Sequence, residues 1–153
     1  MSFFFTSLGN TSTNFILVVS ESHSINAIGA YNGTLSLTNP TPNLDRIASK
    51  SAIFTDAFCS NSSSGPSGAT LLTGTHSHIN GFLENNNNFN FSHDSLPQAL
   101  QKAGYETALI GRWDLGSKPL HFDYWKILAD STEKFNPQFL MENGNKRIEG
   151  HVT

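Results

Sequence analysis

The chain has 153 residues, a formal net charge of −3 and only 14% charged residues. That length suits one domain able to bury roughly 70% of its extended-chain surface, and mild acidity without a basic run argues against nucleic acid or an anionic membrane as partner. Cys59 is the sole cysteine, which excludes an internal disulfide.

Residues 1–13 read as an N-terminal extension and 14–153 as one domain. Met1 to Gly9 carries Phe3, Phe4 and Phe5 but no positive n-region, and its apolar run is short, so it does not read as a signal peptide. No apolar segment is long enough to predict a transmembrane helix. Asn-x-Ser/Thr patterns begin at Asn10, Asn32, Asn61 and Asn90, as expected by chance in an Asn-rich chain. Phe15 to Val19 is a continuous apolar run of strand length, expected as the first central strand of a buried parallel sheet. Its C-terminal end delivers Ser20, Glu21, Ser22 and His23 to the edge where open α/β sheets place ligands, unless these four merely form the next loop. Ala27 to Pro40 reads as loop. Thr41-Pro42 then opens a helix with Leu44, Ile47 and Ala48 on its packing face, capped by Thr41. Ala52 to Phe58 is expected as a second strand, and Cys59 as a small buried residue.

The stretch Ser64-Gly-Pro-Ser-Gly-Ala-Thr-Leu-Leu-Thr-Gly74 predicts a turn leading into a helix that starts at Pro66 and stops at Gly74. Ser64 then stands at the mouth of a helix N-terminus, where unpaired N–H groups favour an anion, or it simply belongs to a Ser-rich capping loop. His76 and His78 share a face only if extended, and without nearby carboxylates or thiols they make a poor zinc site. Asn85 to Asn90 reads as a solvated low-complexity loop. Ser95-Leu-Pro-Gln98 forms a capping box ahead of a helix ending at Gly104. Thr107 to Ile110 is a third strand, which delivers Gly111-Arg-Trp-Asp-Leu-Gly116 to the same sheet edge. The tail predicts a hairpin of Phe139 to Met141 against Arg147 to Val152 around Asn143-Gly144-Asn145.

Four of these segments together resemble the sulfatase family. Ser64 to Gly74 is similar to its signature, Cys or Ser, any residue, Pro, Ser, Arg, Ala, Ser, Leu, Leu, Thr, Gly. Thr41 to Ala48 resembles the helix after the family's first metal-binding loop. Gly104 to Gly111 resembles the strand leading into Lys-Trp-His-Leu-Gly, and His121 to Trp125 with the tail from Asn136 resembles the heparan- and glycan-type members. His78 matches a histidine common in the family. The likeness runs from Asn14 to Thr153 and corresponds to the N-terminal part of these enzymes. The implied fold is α/β, a mostly parallel sheet with helices on both faces and a C-terminal hairpin, a partial alkaline-phosphatase-like fold.

The resemblance also implies a chemistry, position by position. Ser64 holds the place of the residue oxidised to formylglycine, whose hydrate attacks the sulfate ester. Glu21 and Ser22 hold the places of two aspartates that bind calcium. Arg112 and Asp114 replace the lysine and histidine that contact the sulfate, and Gly68 replaces the signature arginine. Further calcium and sulfate ligands come from a later segment of the family. One carboxylate and neutral oxygens predict weak or absent calcium binding, and a site that acts as a unit is not repaired by its surviving parts. The expected protein is thus sulfatase-like, truncated and catalytically impaired. Its partner is a sulfate ester or other small anion, with no nucleic acid, no membrane and a partner chain able to complete the sheet. Two alternatives stand beside it: an active sulfate or phosphate ester hydrolase using Ser64 directly or as formylglycine with Arg112 as anion clamp, and a non-catalytic binding or interaction module.

Overall fold

The computed structural model describes residues 2–7, 13–85, 88–130 and 132–152. It divides into two compact units, Met1–Val19 with Cys59–Thr153, and Ser20–Phe58. The first unit is an open α/β arrangement. Its strands are β1 (Ser2–Ser7), β2 (Phe15–Val18), β3 (Tyr105–Gly111), β4 (Tyr124–Leu128), β5 (Gln138–Met141) and β6 (Gly144–Arg147). They form one sheet in the order β2-β1-β3-β4-β5-β6. Its helices are α2 (Ser64–Thr73), α3 (Ser77–Asn80) and α4 (Leu96–Lys102), and the second unit carries α1 (Pro42–Ala48).

The sheet is mixed, where a mostly parallel one was expected. Only β3 and β4 pair in parallel, because β1 enters antiparallel between β2 and β3 and the C-terminal strands fold back as a hairpin. β1 arises from the stretch set apart in the sequence as an extension. Its entry moves β2 from the expected centre to an end of the strand order, and Phe15, Ile16 and Val18 are exposed rather than buried on both faces.

The core follows the two periodicities. Thr107 and Leu109 alternate inward along β3, as do Trp125 and Ile127 along β4, while Ala69 and Leu72 face them one helical turn apart on α2. Aromatic rings fill the remaining space: Phe82 and Phe89 meet edge to face at 5.6 Å, and Phe91 stacks on Trp113 at 6.2 Å. Gly104 turns α4 into β3 at φ +84°, a conformation that favours glycine. Asp123 pins this corner by accepting hydrogen bonds from the Thr107 N–H (2.7 Å), the Thr107 hydroxyl (2.8 Å) and Gln101 Nε2 (2.9 Å). Desolvation pushes the Asp123 pKa up, but those bonds outweigh it and hold the carboxyl below its usual value. Ser95 takes the cap position of α4 as predicted, yet it makes no side-chain cap bond, and its buried hydroxyl has no partner among the described residues.

The hairpin is observed with a tighter register than expected. Met141 pairs with Gly144 and Gln138 with Arg147, so Glu142 and Asn143 alone make the turn and β6 ends where the second strand was expected to begin. Arg147 Nη1 ties the hairpin back to Glu133 Oε1 at 2.9 Å and to the Asn136 carbonyl at 2.6 Å.

The second unit is built on turns. Three short 3-10 segments precede α1, and the Asp45 carboxylate ties the second of them, Gly29–Tyr31, to the helix: it accepts from the Ala30 N–H (2.7 Å) and the Thr41 hydroxyl (3.1 Å), while Thr41 Oγ1 accepts from the Gly29 N–H (2.9 Å). Thr41 thus sits at the predicted cap position but spends its oxygen on Gly29. Three expectations fail here. Residues 52–58 form no strand; they are exposed bends in which the Thr55 hydroxyl bonds Asp56 and the Phe54 carbonyl accepts from Tyr31. Apolar content without a paired neighbour does not make a strand. Leu44 and Ile47 are exposed rather than packed, and Cys59, at the start of the first unit, is exposed rather than buried. Among the described residues, no helix is long and apolar enough to cross a membrane.

Candidate active site at the start of helix α2

α2 begins two residues earlier than Pro66, so Ser64 is its first helical residue and Ser63 its N-cap. Pro66 falls at the third helical position, where it has no N–H to offer a capping side chain. Ser63 accordingly makes no cap bond of its own. The capping comes from a distance: Asn85 Oδ1 accepts from the Gly65 N–H at 2.8 Å and from the Ser63 hydroxyl at 3.0 Å, and Asn85 Nδ2 lies 3.4 Å from Ser64 Oγ. Asn61 Oδ1 in turn accepts from the Ser63 N–H at 2.9 Å. The helix closes at Gly74, φ +67°, as predicted.

Gly65 is the hinge of this corner. A Cβ there would stand 2.6 Å from Asn85 Oδ1, 2.7 Å from the Asp114 carbonyl and 2.9 Å from the Phe82 ring. The missing side chain is what lets the end of β3, the Asn85 loop and the start of α2 meet. Gly68 is different, since a Cβ there would touch only Leu115, at 3.9 Å.

Arg112 and Asp114 follow β3. Arg112 Nε lies 2.8 Å from Asp114 Oδ1 and 2.7 Å from Oδ2, with the pair partly buried. The negative charge that Asp114 brings in place of the family's histidine is therefore compensated by Arg112, and the clamp expected of Arg112 is engaged with Asp114. The structure thus brings Ser64, Gly65, Asn85 and the 112–114 segment to one corner. Gly68 lies one turn along the same helix.

Glu21 and Ser22 belong to the other unit, at an exposed turn after β2 in which Ser22 has φ +55°. Ser20 Oγ and His23 Nδ1 close that turn at 3.2 Å. Among the described residues no three His, Cys, Asp or Glu side chains gather as a metal group. Calcium takes six to eight oxygens, several of them carboxylate, and this turn contributes one carboxylate and a hydroxyl. Glu21 and Ser22 do not by themselves fit the ion. His76 and His78 stack at 5.8 Å as exposed rings.

Sequence reasoning missed Asn85 and Asn61. The Asn-rich run is not wholly a solvated loop, because Asn85 caps α2 and Phe89 is core. Asn86 and Asn87 within that run, and the Asn10 pattern near the N-terminus, lie outside the described residues.

Comparison with known proteins agrees with this fold. The family model of the sulfatases matches residues 13–137. An N-acetylglucosamine-6-O-sulfatase of Bacteroides thetaiotaomicron is 41% identical over 144 residues, covering 92% of this chain and 25% of that protein. Human N-sulphoglucosamine sulphohydrolase is 41% identical over 103 residues, covering 63% and 20%. A solved protein in complex with its substrate D-glucosamine-2-N,6-O-disulfate superposes with a TM-score of 0.77 at 36% identity, over 85% of this chain and 26% of that one. The chain belongs to the sulfatase family. It spans about a quarter of the length of these relatives. The expected α/β, partial alkaline-phosphatase-like fold is the one observed.

Proposed function

We propose that this chain carries the nucleophile-bearing corner of a sulfatase-type protein directed at sulfate esters of sugars, and that its capacity for hydrolysis is strongly impaired. The sulfated amino sugars on which two of its relatives are named as acting supply the substrate class. The observation that carries the impairment is the Arg112–Asp114 pair. The resemblance places a lysine and a histidine at these positions. Here the two side chains form an ion pair, so the cationic charge of Arg112 is offset by a neighbouring carboxylate, and drawing Arg112 toward a ligand requires breaking a partly buried ion pair. Gly68 adds no charge where the signature has arginine, and Ser22 offers a hydroxyl where it has a carboxylate. Preorganised charge opposite the developing anion is the largest single term in such reactions.

The test is hydrolysis of an aryl sulfate and of a 6-O-sulfated glucosamine by the chain and by Ser64→Ala. Equal background rates are expected, with an unmodified serine at position 64 by mass spectrometry. Turnover that disappears in Ser64→Ala, or an aldehyde at residue 64, overturns the impairment and supports Ser64 as a working nucleophile or formylglycine.

A second reading, as an interaction module, is favoured by the end strand β2. Its apolar residues are exposed and border a groove of about 350 Å³ with Leu96 and Leu100 of α4. No charge or proline protects it, the usual defence of an edge strand. Pairing of this edge with a second strand-bearing chain predicts self-association abolished by Ile16→Lys, read by light scattering; a monomer in both cases excludes it.

A further inference from the structure

We propose that Asn85 is a side-chain latch on the Ser64 corner: its carboxamide holds the place at the start of α2 that an oxygen of a bound anion would take, so that latching and anion binding exclude one another. This rests on the reading of Ser64 as the residue that faces the sulfate.

A helix N-terminus attracts anions through the unpaired N–H groups of its first turn. In α2 the first three positions are Ser64, Gly65 and Pro66, and proline has no N–H. The Ser67 N–H bonds the Ser63 carbonyl at 3.0 Å, and the Ser63 N–H is taken by Asn61. Ser64 and Gly65 therefore supply the first-turn donors, and the Gly65 N–H already points at Asn85 Oδ1.

The orientation of the Asn85 amide follows from the same geometry. A backbone N–H can only donate, so the Asn85 atom 2.8 Å from Gly65 N is the oxygen. That places the amide nitrogen beside Ser64 Oγ. The oxygen also accepts from the Ser63 hydroxyl. A carbonyl oxygen receiving two donors at a helix start has the hydrogen-bonding pattern of one oxygen of an oxyanion, with a neutral group in place of a charged one. Gly65 permits the approach, since any Cβ there would overlap Asn85 Oδ1.

Asn85 is exposed and sits on a loop, so the latch can open without disturbing the core. Opening forfeits two good hydrogen bonds and one long one. The apparent affinity for an anion is reduced by the fraction of molecules that are open, about tenfold for bonds of this kind.

The experiment is a thermal melt of the full chain against inorganic sulfate, at ionic strength held constant with chloride. The proteins are the wild type, Asn85→Ala, Asn85→Ser and Asn85→Asp. Asn85→Ala and Asn85→Ser are expected to bind sulfate about tenfold more tightly than the wild type. Asn85→Asp keeps an acceptor for the Gly65 N–H and adds a negative charge, so it is expected to bind no better than the wild type. Asn85→Ser guards against loss of folding in the alanine variant. Equal sulfate affinity in the wild type and both neutral variants overturns the latch. If that shared affinity is high, the reading of Arg112 as offset by Asp114 falls with it; if none responds, that reading stands and only the latch falls. Weaker binding in Asn85→Ala makes Asn85 a ligand instead of a latch and equally overturns the proposal.

Discussion

The two units are held together by different physics. Residues 59–153 with 1–19 enclose an apolar core running from Ala69 and Leu72 through Leu109, Trp125 and Ile127. Residues 20–58 contain no buried residue, and polar bonds such as those of the Asp45 carboxylate with the Ala30 N–H and the Thr41 hydroxyl take the place of a core. Damage to the first unit is therefore transmitted, because Phe82 and Leu115 belong both to the core and to the surroundings of α2. In the second, the loss of one polar contact forfeits little beyond that contact's own hydrogen bonds. The Ser64 corner thus inherits the stability of the sheet, and the Glu21–Ser22 turn only that of its own loops.

Several substitutions sharpen this contrast. Leu109→Ala empties the centre of β3, where the side chain is 0% exposed, and should cost about 3 kcal/mol in denaturant unfolding. A loss under about 1 kcal/mol would mean that the core is looser than its packing suggests. Gly65→Ala should cost about 2 kcal/mol, since the Asp114 carbonyl and the Phe82 ring cannot both yield. Asp45→Ala should release about 1 kcal/mol locally, seen as faster hydrogen exchange at Ala30 with the global melt unchanged; a matching fall in the melt would show that this polar contact supports the whole fold. Gly68→Ala should stabilise by about 0.5–1 kcal/mol, because the Cβ meets only Leu115 and alanine is the better helix former. The smallest effect is in acid. Because the folded Asp123 pKa lies below its ordinary value, its contribution is present above about pH 4 and is lost as pH falls through the folded value. Asp123→Asn should flatten that part of the stability profile, and an unchanged acid limb would show that the Thr107 bonds do not favour the charged form.

Much of this was legible in the residues. Gly74 and Gly104 mark the ends of α2 and α4, the alternation of Thr107 and Leu109 marks β3, and the hairpin is visible in kind around Asn143-Gly144. The false strand at 52–58 shows the limit, because apolar content is local while a strand needs a partner that only the fold supplies. β1 was missed for the complementary reason, its identity as a strand residing in its pairing with β3. At the site, the Arg112–Asp114 pair had a signal that could have been used: residues two apart in extended chain share a face. Asn85 had only half of one. Pro66 at the third helical position announces that the ordinary cap partner is missing, but nothing in the order of residues says that a loop some twenty positions later returns to supply it.

The place of β1 bears on how the chain is made. Ser2 pairs with Ile110, so two neighbours in the sheet are separated by about a hundred residues of sequence. A ribosome adding about 5–20 residues per second releases the first strand many seconds before its central partner exists. During that interval β1 and β2 can pair with each other, as a two-stranded ribbon that is marginal in water. Closing so long a loop makes the formation of this sheet slow and leaves an apolar ribbon waiting, the condition under which nascent chains recruit chaperones or aggregate.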